Sequence, residues 1–239
     1  SGRRLAGVVG CLLVGLLSAS SVRAQAEHPL SGRRIASVMG ITGADWLERP
    51  ERELEENPAK AIDLLQLKPG MKVADIGAGI GYYSIRMARR VGESGRVYAV
   101  DIQPGMLARL KRRLNRDKIQ NVEPVLGSET DPHLPDGELD MIVMVDVYHE
   151  FSQPQAMLQI LKKALKPTGQ LVLLEFRKED ASIPSRTEHK MSVWEVQTEL
   201  EAEGYRLEKV VKELPWQNIF FLTVASERPG PVRPLGQQQ

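Results

Sequence analysis

The sequence predicts an α/β fold, in which a doubly wound, mostly parallel sheet of seven strands carries helices on both faces. Two observations carry this expectation. Between residues 58 and 225, apolar runs of strand length alternate with segments of helical spacing, the order that yields parallel strands joined by crossover helices. The first apolar run also leads straight into three alternating glycines and a helical segment, the strand-turn-helix unit on which parallel sheets hold ligands.

Taken in order, residues 1–26 stand outside that fold. Arg3 and Arg4 precede an apolar stretch over 5–17, and Ala24-Gln25-Ala26 supplies the small residues that a signal peptidase accepts. A removable secretory leader is expected, hence a periplasmic or secreted protein, or a cytoplasmic one if the leader is not used. The apolar stretch is shorter than the ~20 residues of a membrane span, and no later run is long enough. Residues 27–57 are expected to form an N-terminal arm. Its first part, 27–43, is polar with several glycines and no apolar period, and the charge-dense stretch 48–56 reads as a solvated helix face or a lid.

The domain proper is expected over 58–225. Residues 59–65 have helical spacing and end at Lys68-Pro69-Gly70. Strands are expected over 73–76, 96–100, 122–126, 141–145, 171–175, 205–211 and 219–224. Helices are expected over 80–91, 104–114, 154–165 and 188–203, with Pro104 in the permitted first turn. Lys166-Pro167-Thr168-Gly169 should stop the third of these helices and Gly204 the fourth. The tail 226–239, rich in Pro, Gly and Gln, is expected to be disordered.

Composition narrows the function classes. The chain has 239 residues, 42% hydrophobic and 26% charged, with 32 basic against 31 acidic side chains. These values exclude a disordered chain, a collagen and a disulfide scaffold. Near-neutral charge argues against nucleic acid as partner, since such proteins carry a basic excess against phosphates, and Lys111, Arg112 and Arg113 read as a solvated helix face. Residues 1–26 hold Arg3, Arg4 and Arg23 and no acid, which leaves 29 basic against 31 acidic residues beyond them. Cys11 leaves with the leader, so the remainder has no disulfide, cysteine nucleophile or thiolate ligand. His28, His133, His149 and His189 are scattered without ligand spacing, and no metal site is expected.

In a doubly wound sheet the ligand crevice lies at the carboxyl ends of the strands. The first strand runs into Asp75-Ile76-Gly77-Ala78-Gly79-Ile80-Gly81, where glycines permit a tight turn and close approach of a ligand. Asp75, two residues before the first glycine, would repel a pyrophosphate and suits an ammonium or sulfonium. The competing reading is a capping aspartate with turn glycines. Asp101 follows Gly81 by 20 residues at the end of the next strand, where it can accept ribose hydroxyls, cap the helix that begins near Pro104, or both.

This pairing resembles the class I S-adenosylmethionine-dependent methyltransferases. Asp75 through Gly81 is similar to their first motif and Asp101 to their ribose acid; 134–143 and 164–171 resemble their fourth strand and the turn into the fifth. The resemblance covers about 58–225. It implies a Rossmann-like methyltransferase fold with an antiparallel last strand, S-adenosyl-L-methionine as cofactor, and cofactor contacts from Asp75, Gly77, Ala78, Gly79, Gly81, Asp101, Ile102 and Asp146. Many relatives place an acid directly after a glycine beyond the third strand. Here Gly127 is followed by Ser128 and Glu129, which become, with Asp131, the candidate adenine contacts.

Beyond the fourth strand stands Asp146-Val147-Tyr148-His149-Glu150-Phe151. Tyr148, His149 and Glu150 are the candidates for holding the acceptor or taking its proton; alternatively Tyr148 and His149 pack beneath the cofactor and Glu150 caps a helix. His189 could reach the same crevice or be structural. The expected reaction is in-line methyl transfer to a small-molecule acceptor. The rivals are a non-catalytic adenosylmethionine-binding module and an NAD-dependent oxidoreductase, the latter leaving Asp75 unexplained.

Overall fold

Seven strands form one sheet in the order β3-β2-β1-β4-β5-β7-β6. They are β1 (Lys72–Ile76), β2 (Arg96–Asp101), β3 (Val122–Leu126), β4 (Leu139–Val145), β5 (Leu165–Phe176), β6 (Tyr205–Val211) and β7 (Gln217–Val224). Strands β1 to β5 pair in parallel, and β7 runs antiparallel to both β5 and β6. This computed structural model describes residues 26–225. The expected leader, apart from Ala26, and the expected tail lie outside the described residues.

The central strands are buried on both faces, which is why they read as continuous apolar runs. Alternate side chains divide the interior into two cores. On one face Val73, Val97, Val143 and Val172 pack with Ile85, Met87 and Val91 of α3 (Tyr82–Val91) and Leu110 and Leu114 of α4 (Pro104–Arg116). On the other, Ala74, Ile142, Leu173 and Phe220 meet Leu158 and Leu161 of α5 (Pro154–Ala164) and Val196 and Leu200 of α6 (Val193–Ala202). Strand order reverses between β1 and β4, which places the crevice at their carboxyl ends.

Three local expectations are corrected. The helix expected from 188 begins at Val193, because Ser192 and Glu195 form a capping box and Met191 bridges to Arg177; residues Thr187–His189 make a separate 3-10 turn. Residues 166–169 do not form a free turn. They lie within β5, whose register against β4 shifts between Leu139 and Met141, so the proline and glycine are absorbed as an irregularity near the start of the strand.

The arm is the third correction. Without any apolar period it still docks, burying polar Arg33 (5% exposed) and His28 (2%) and packing Ala44 and Leu47 against Ile80 and Met106. It continues through a 3-10 turn (Ile41–Glu48), α1 (Arg52–Glu55) and α2 (Pro58–Leu64). The charged stretch is not a solvated face throughout, since Arg52 and Glu56 are buried as an i,i+4 ion pair at 2.7 Å. Arg113 is likewise turned inward onto the Ile80 carbonyl, while Lys111 and Arg112 are exposed.

Candidate functional site

A cavity of about 620 Å³ opens where β1, β2, β4 and β5 end, lined there by Ile76, Asp101, Asp146 and Phe176. Its size is that of a small-molecule site. The glycine turn forms one wall, and all three glycines have positive φ (72°, 55° and 81°). They serve different ends. A Cβ at Gly77 would lie 2.3 Å from Val147 Cγ2 and one at Gly81 2.3 Å from Leu110 Cδ1, so these two let the chain pack; one at Gly79 would meet only the end of Leu47, at 3.0 Å. Gly77 and Gly79 line the cavity.

Asp101 ties this wall together. Its Oδ2 accepts from Gly79 N–H and its Oδ1 from Gln103 N–H, each at 2.8 Å, so the carboxylate braces the turn against the start of α4 and still faces the cavity. Burial raises its pKa, opposed by those N–H donors. Ile102, Ser128, Glu129 and Asp146 also line the cavity. Ser128 Oγ accepts from Asp131 N–H at 3.0 Å, and Glu129 accepts from Ser152 Oγ at 2.7 Å. Asp146, with φ +49°, accepts from Gln217 Nε2 at 2.7 Å through Oδ2, whereas its buried Oδ1 has no partner. Loss of solvent raises its pKa well above the usual carboxylate range, with Glu56 and Glu175 adding to the effect.

Four candidates lie elsewhere. Asp75 is buried beneath the turn, where its Oδ2 accepts from Ser84 Oγ of α3; burial lifts its pKa to about 7. Ala78 and Gly81 turn toward the packed interior. Tyr148, expected on the acceptor side, is fully buried and donates to Glu199 Oε2 at 2.8 Å, because the one-turn 3-10 helix Tyr148–Glu150 points consecutive side chains in different directions.

His149 and Glu150 line the same cavity as the glycine wall, and His189 joins them. His149 Nδ1 lies 2.6 Å from Glu175 Oε2, and its Nε2 lies 3.2 Å from His189 Nδ1. Two of the four scattered histidines are therefore neighbours in space, and His189 reaches the crevice, one of the two readings open for it. Burial works against protonation of His149, yet Glu175 holds its pKa above the ordinary histidine value. Burial and the neighbouring His149 lower that of His189, and burial lifts Glu150 to about 7.

Several contributors went unread in the sequence. Glu175, 0% exposed, also accepts the Tyr148 N–H; its signal was an acid inside the apolar run of β5. Leu47, Trp46 and Met39 of the arm also line the cavity, with no motif to mark them, and so do Arg52 and Glu56 of the stretch 48–56 that reads as a solvated face or a lid.

A cationic ligand fits this donor set. Asp146, Asp101, Glu56 and Glu150 bring carboxylates to the cavity, Arg52 among them is already paired with Glu56, and the free Oδ1 of Asp146 lacks a donor. The glycine wall provides the close approach that a nucleoside-bearing amino acid needs.

The family described as methyltransferase domain matches residues 67–220. The chain is 31% identical to a solved SAM-dependent methyltransferase from Aquifex aeolicus, with a TM-score of 0.74 over 79% of this chain and 100% of that one. It is 35% identical over 115 residues to a protein-L-isoaspartate O-methyltransferase from Methanothrix thermoacetophila, covering 48% of this chain and 52% of that protein. It is 33% identical over 119 residues to the ubiquinone/menaquinone biosynthesis C-methyltransferase UbiE of a Shewanella species, covering 49% and 47%. The chain thus spans about half the length of the curated relatives it matches.

Proposed function

The chain belongs to the methyltransferase domain family of S-adenosylmethionine-dependent enzymes, and from that premise we propose that it transfers a methyl group to a small-molecule acceptor bound at His149 and Glu150. One observation carries the reading: a single cavity joins the Gly79–Asp101 wall to the His149–Glu150 wall, so a cofactor on one side faces an acceptor on the other. The cofactor supplies a methyl already activated by its sulfonium.

In this reading Gly77 and Gly79 admit the amino-acid and ribose portions, and Asp101 accepts ribose hydroxyls with the lone pairs that its two N–H donors leave free. Asp146 Oδ1 takes an N–H from the cofactor or the acceptor. Ser128 and Glu129 border the adenine. The arm residues Leu47 and Trp46 act as a lid that excludes water. Catalysis then comes chiefly from holding nucleophile and methyl in line, an effect worth ~7 to 11 kcal/mol. The His149, Glu150 and His189 group holds the acceptor and provides for any proton it loses, which adds ~10² to 10⁴ in rate.

Calorimetric titration with adenosylmethionine, adenosylhomocysteine and NAD tests this assignment. Binding of the first two and not of NAD is expected, and preference for NAD would overturn it. Cofactor binding without turnover on any acceptor would instead favour a binding module.

We also propose that residues 1–26 are removed on export to a periplasm or the exterior. The leader-like order of Arg3, the apolar stretch and Ala24-Gln25-Ala26 supports this. No helix among the described residues is long and apolar enough to cross a membrane. Mass spectrometry of the protein from its host should find Glu27 at the amino terminus; an intact leader in the cytosolic fraction would refute export.

A further inference from the structure

The acceptor end of the cavity holds more ligating chemistry than methyl transfer from a sulfonium requires. His149 Nε2 and His189 Nδ1 are 3.2 Å apart, and a ring nitrogen of each histidine and a Glu150 carboxylate oxygen all lie within 4.8 Å of one another. All three side chains line the cavity. The rings meet edge to face, at an interplanar angle of 88°, so the two nitrogens converge without stacking.

The surroundings orient these atoms as a metal site does. Glu175 Oε2, 2.6 Å from His149 Nδ1, places the proton on Nδ1 and leaves the Nε2 lone pair facing His189 and the cavity. Glu175 is itself fixed, being 0% exposed and accepting the Tyr148 N–H at 2.9 Å. A carboxylate behind a histidine in this way is the outer shell that sets the tautomer and raises the basicity of a metal ligand. Spacing agrees: with metal–nitrogen bonds of ~2.0 to 2.1 Å in tetrahedral geometry, two ligand nitrogens stand ~3.3 to 3.4 Å apart.

Charge points the same way. Glu150 and Glu175 bring two carboxylates to the two imidazoles, and Arg33 of the arm is committed to Glu199 and the His149 carbonyl. Arg186 also borders the cavity. Two imidazoles and one carboxylate suit a borderline divalent transition ion rather than magnesium or calcium, which prefer all-oxygen shells.

We propose that His149, Glu150 and His189 bind a divalent transition-metal ion of the zinc class, with Glu175 as the positioning residue behind His149 and an open coordination position facing the acceptor. Three protein ligands leave that position free for an oxygen or nitrogen of the acceptor, which the ion would hold and make more acidic. Ion binding stands on the geometry alone; the direction of the open position rests on the methyltransferase reading above.

The test uses the full chain, untagged and stripped with chelator, titrated separately with Zn²⁺, Mg²⁺ and adenosylmethionine. One Zn²⁺ per chain should bind at about micromolar Kd or tighter and raise the melting temperature, with no heat from Mg²⁺. His189→Ala, a change at a half-buried side chain, should weaken Zn²⁺ at least ~100-fold, and Glu175→Gln should weaken it ~10- to 100-fold, each leaving adenosylmethionine affinity in place. Wild-type Zn²⁺ binding weaker than about 100 µM, or affinity within about threefold of wild type in His189→Ala, would overturn the site and leave the histidines as a hydrogen-bonded pair. Adenosylmethionine failing to bind while Zn²⁺ binds would overturn the functional reading instead.

Discussion

Arg33 and Glu199 form a buried bidentate ion pair, with Nε–Oε1 at 2.8 Å and Nη2–Oε2 at 3.0 Å across 166 residues of chain. The third guanidinium donor, Nη1, reaches the His149 carbonyl at 3.0 Å, and Ala36 N–H donates to the same oxygen at 3.0 Å. The arm is thereby fastened to α6 and to the segment that carries His149 and Glu150. Glu199 also accepts from Tyr148 and Ser31, so this buried polar cluster helps hold an arm with no apolar stripe, beside the packing of Ala44 and Leu47 on Ile80 and Met106.

Arg33→Ala should cost about 3 to 5 kcal/mol, because it leaves Glu199 as an unpaired buried charge. Denaturant unfolding measures that loss. Arg33→Lys should recover only part of it, since one ammonium cannot reproduce the fork of donors; equal stability of the lysine variant and wild type would contradict the bidentate account.

The glycine turn should respond differently at its two cavity-lining positions. Gly79→Val meets only the end of Leu47 and a left-handed φ costing ~1 to 2 kcal/mol, so the protein should fold, yet bind adenosylmethionine too weakly to detect by calorimetry. Gly77→Ala drives its Cβ into Val147 and should destabilise the fold, with partial rescue by Val147→Ala. Undiminished cofactor affinity in folded Gly79→Val would remove the turn from the binding site.

Asp101→Ala removes the acceptor for two backbone N–H groups as well as the expected ribose contact. Charge-assisted hydrogen bonds of ~1.5 to 3 kcal/mol translate into a roughly 10- to 150-fold loss of adenosylmethionine affinity. Stability should fall too, by about 1 to 3 kcal/mol for the stranded donors. A variant that loses stability while keeping full affinity would limit Asp101 to bracing the turn.

Asp75 should impose a pH dependence on stability. Its folded pKa of about 7 lies above the ordinary 3.8 because of burial, with Ser84 opposing and Asp101 reinforcing the shift. The unfolded chain therefore loses this proton first as pH rises. The contribution favouring the fold is complete below about pH 4 and declines through about pH 7, by up to about 4 kcal/mol. Asp75→Asn, which can still accept from Ser84, should lose less stability than wild type between pH 5 and pH 8 in urea unfolding. Parallel pH profiles for the two proteins would show that Asp75 does not titrate in this range.

Local sequence determined most of the sheet and the glycine wall of the cavity. Strands buried on both faces are largely apolar, so Val73, Val97 and Ile142 mark themselves, and positive φ favours glycine at Gly77, Gly79 and Gly81, with close packing adding to the demand at Gly77 and Gly81. Those requirements act within a few residues, and the sequence displays them. The long-range pairings are different. Arg33 with Glu199 and His149 with His189 leave no periodic trace, because their partners are brought together by strand order and not by spacing. Likewise, a capping box moved the start of α6 past His189, while a register shift drew 166–169 into β5. What the tertiary structure alone decided was how the His149–Glu150 end of the cavity is built, because burial of Glu175 behind His149 and the docking of the arm depend on segments meeting across the sheet.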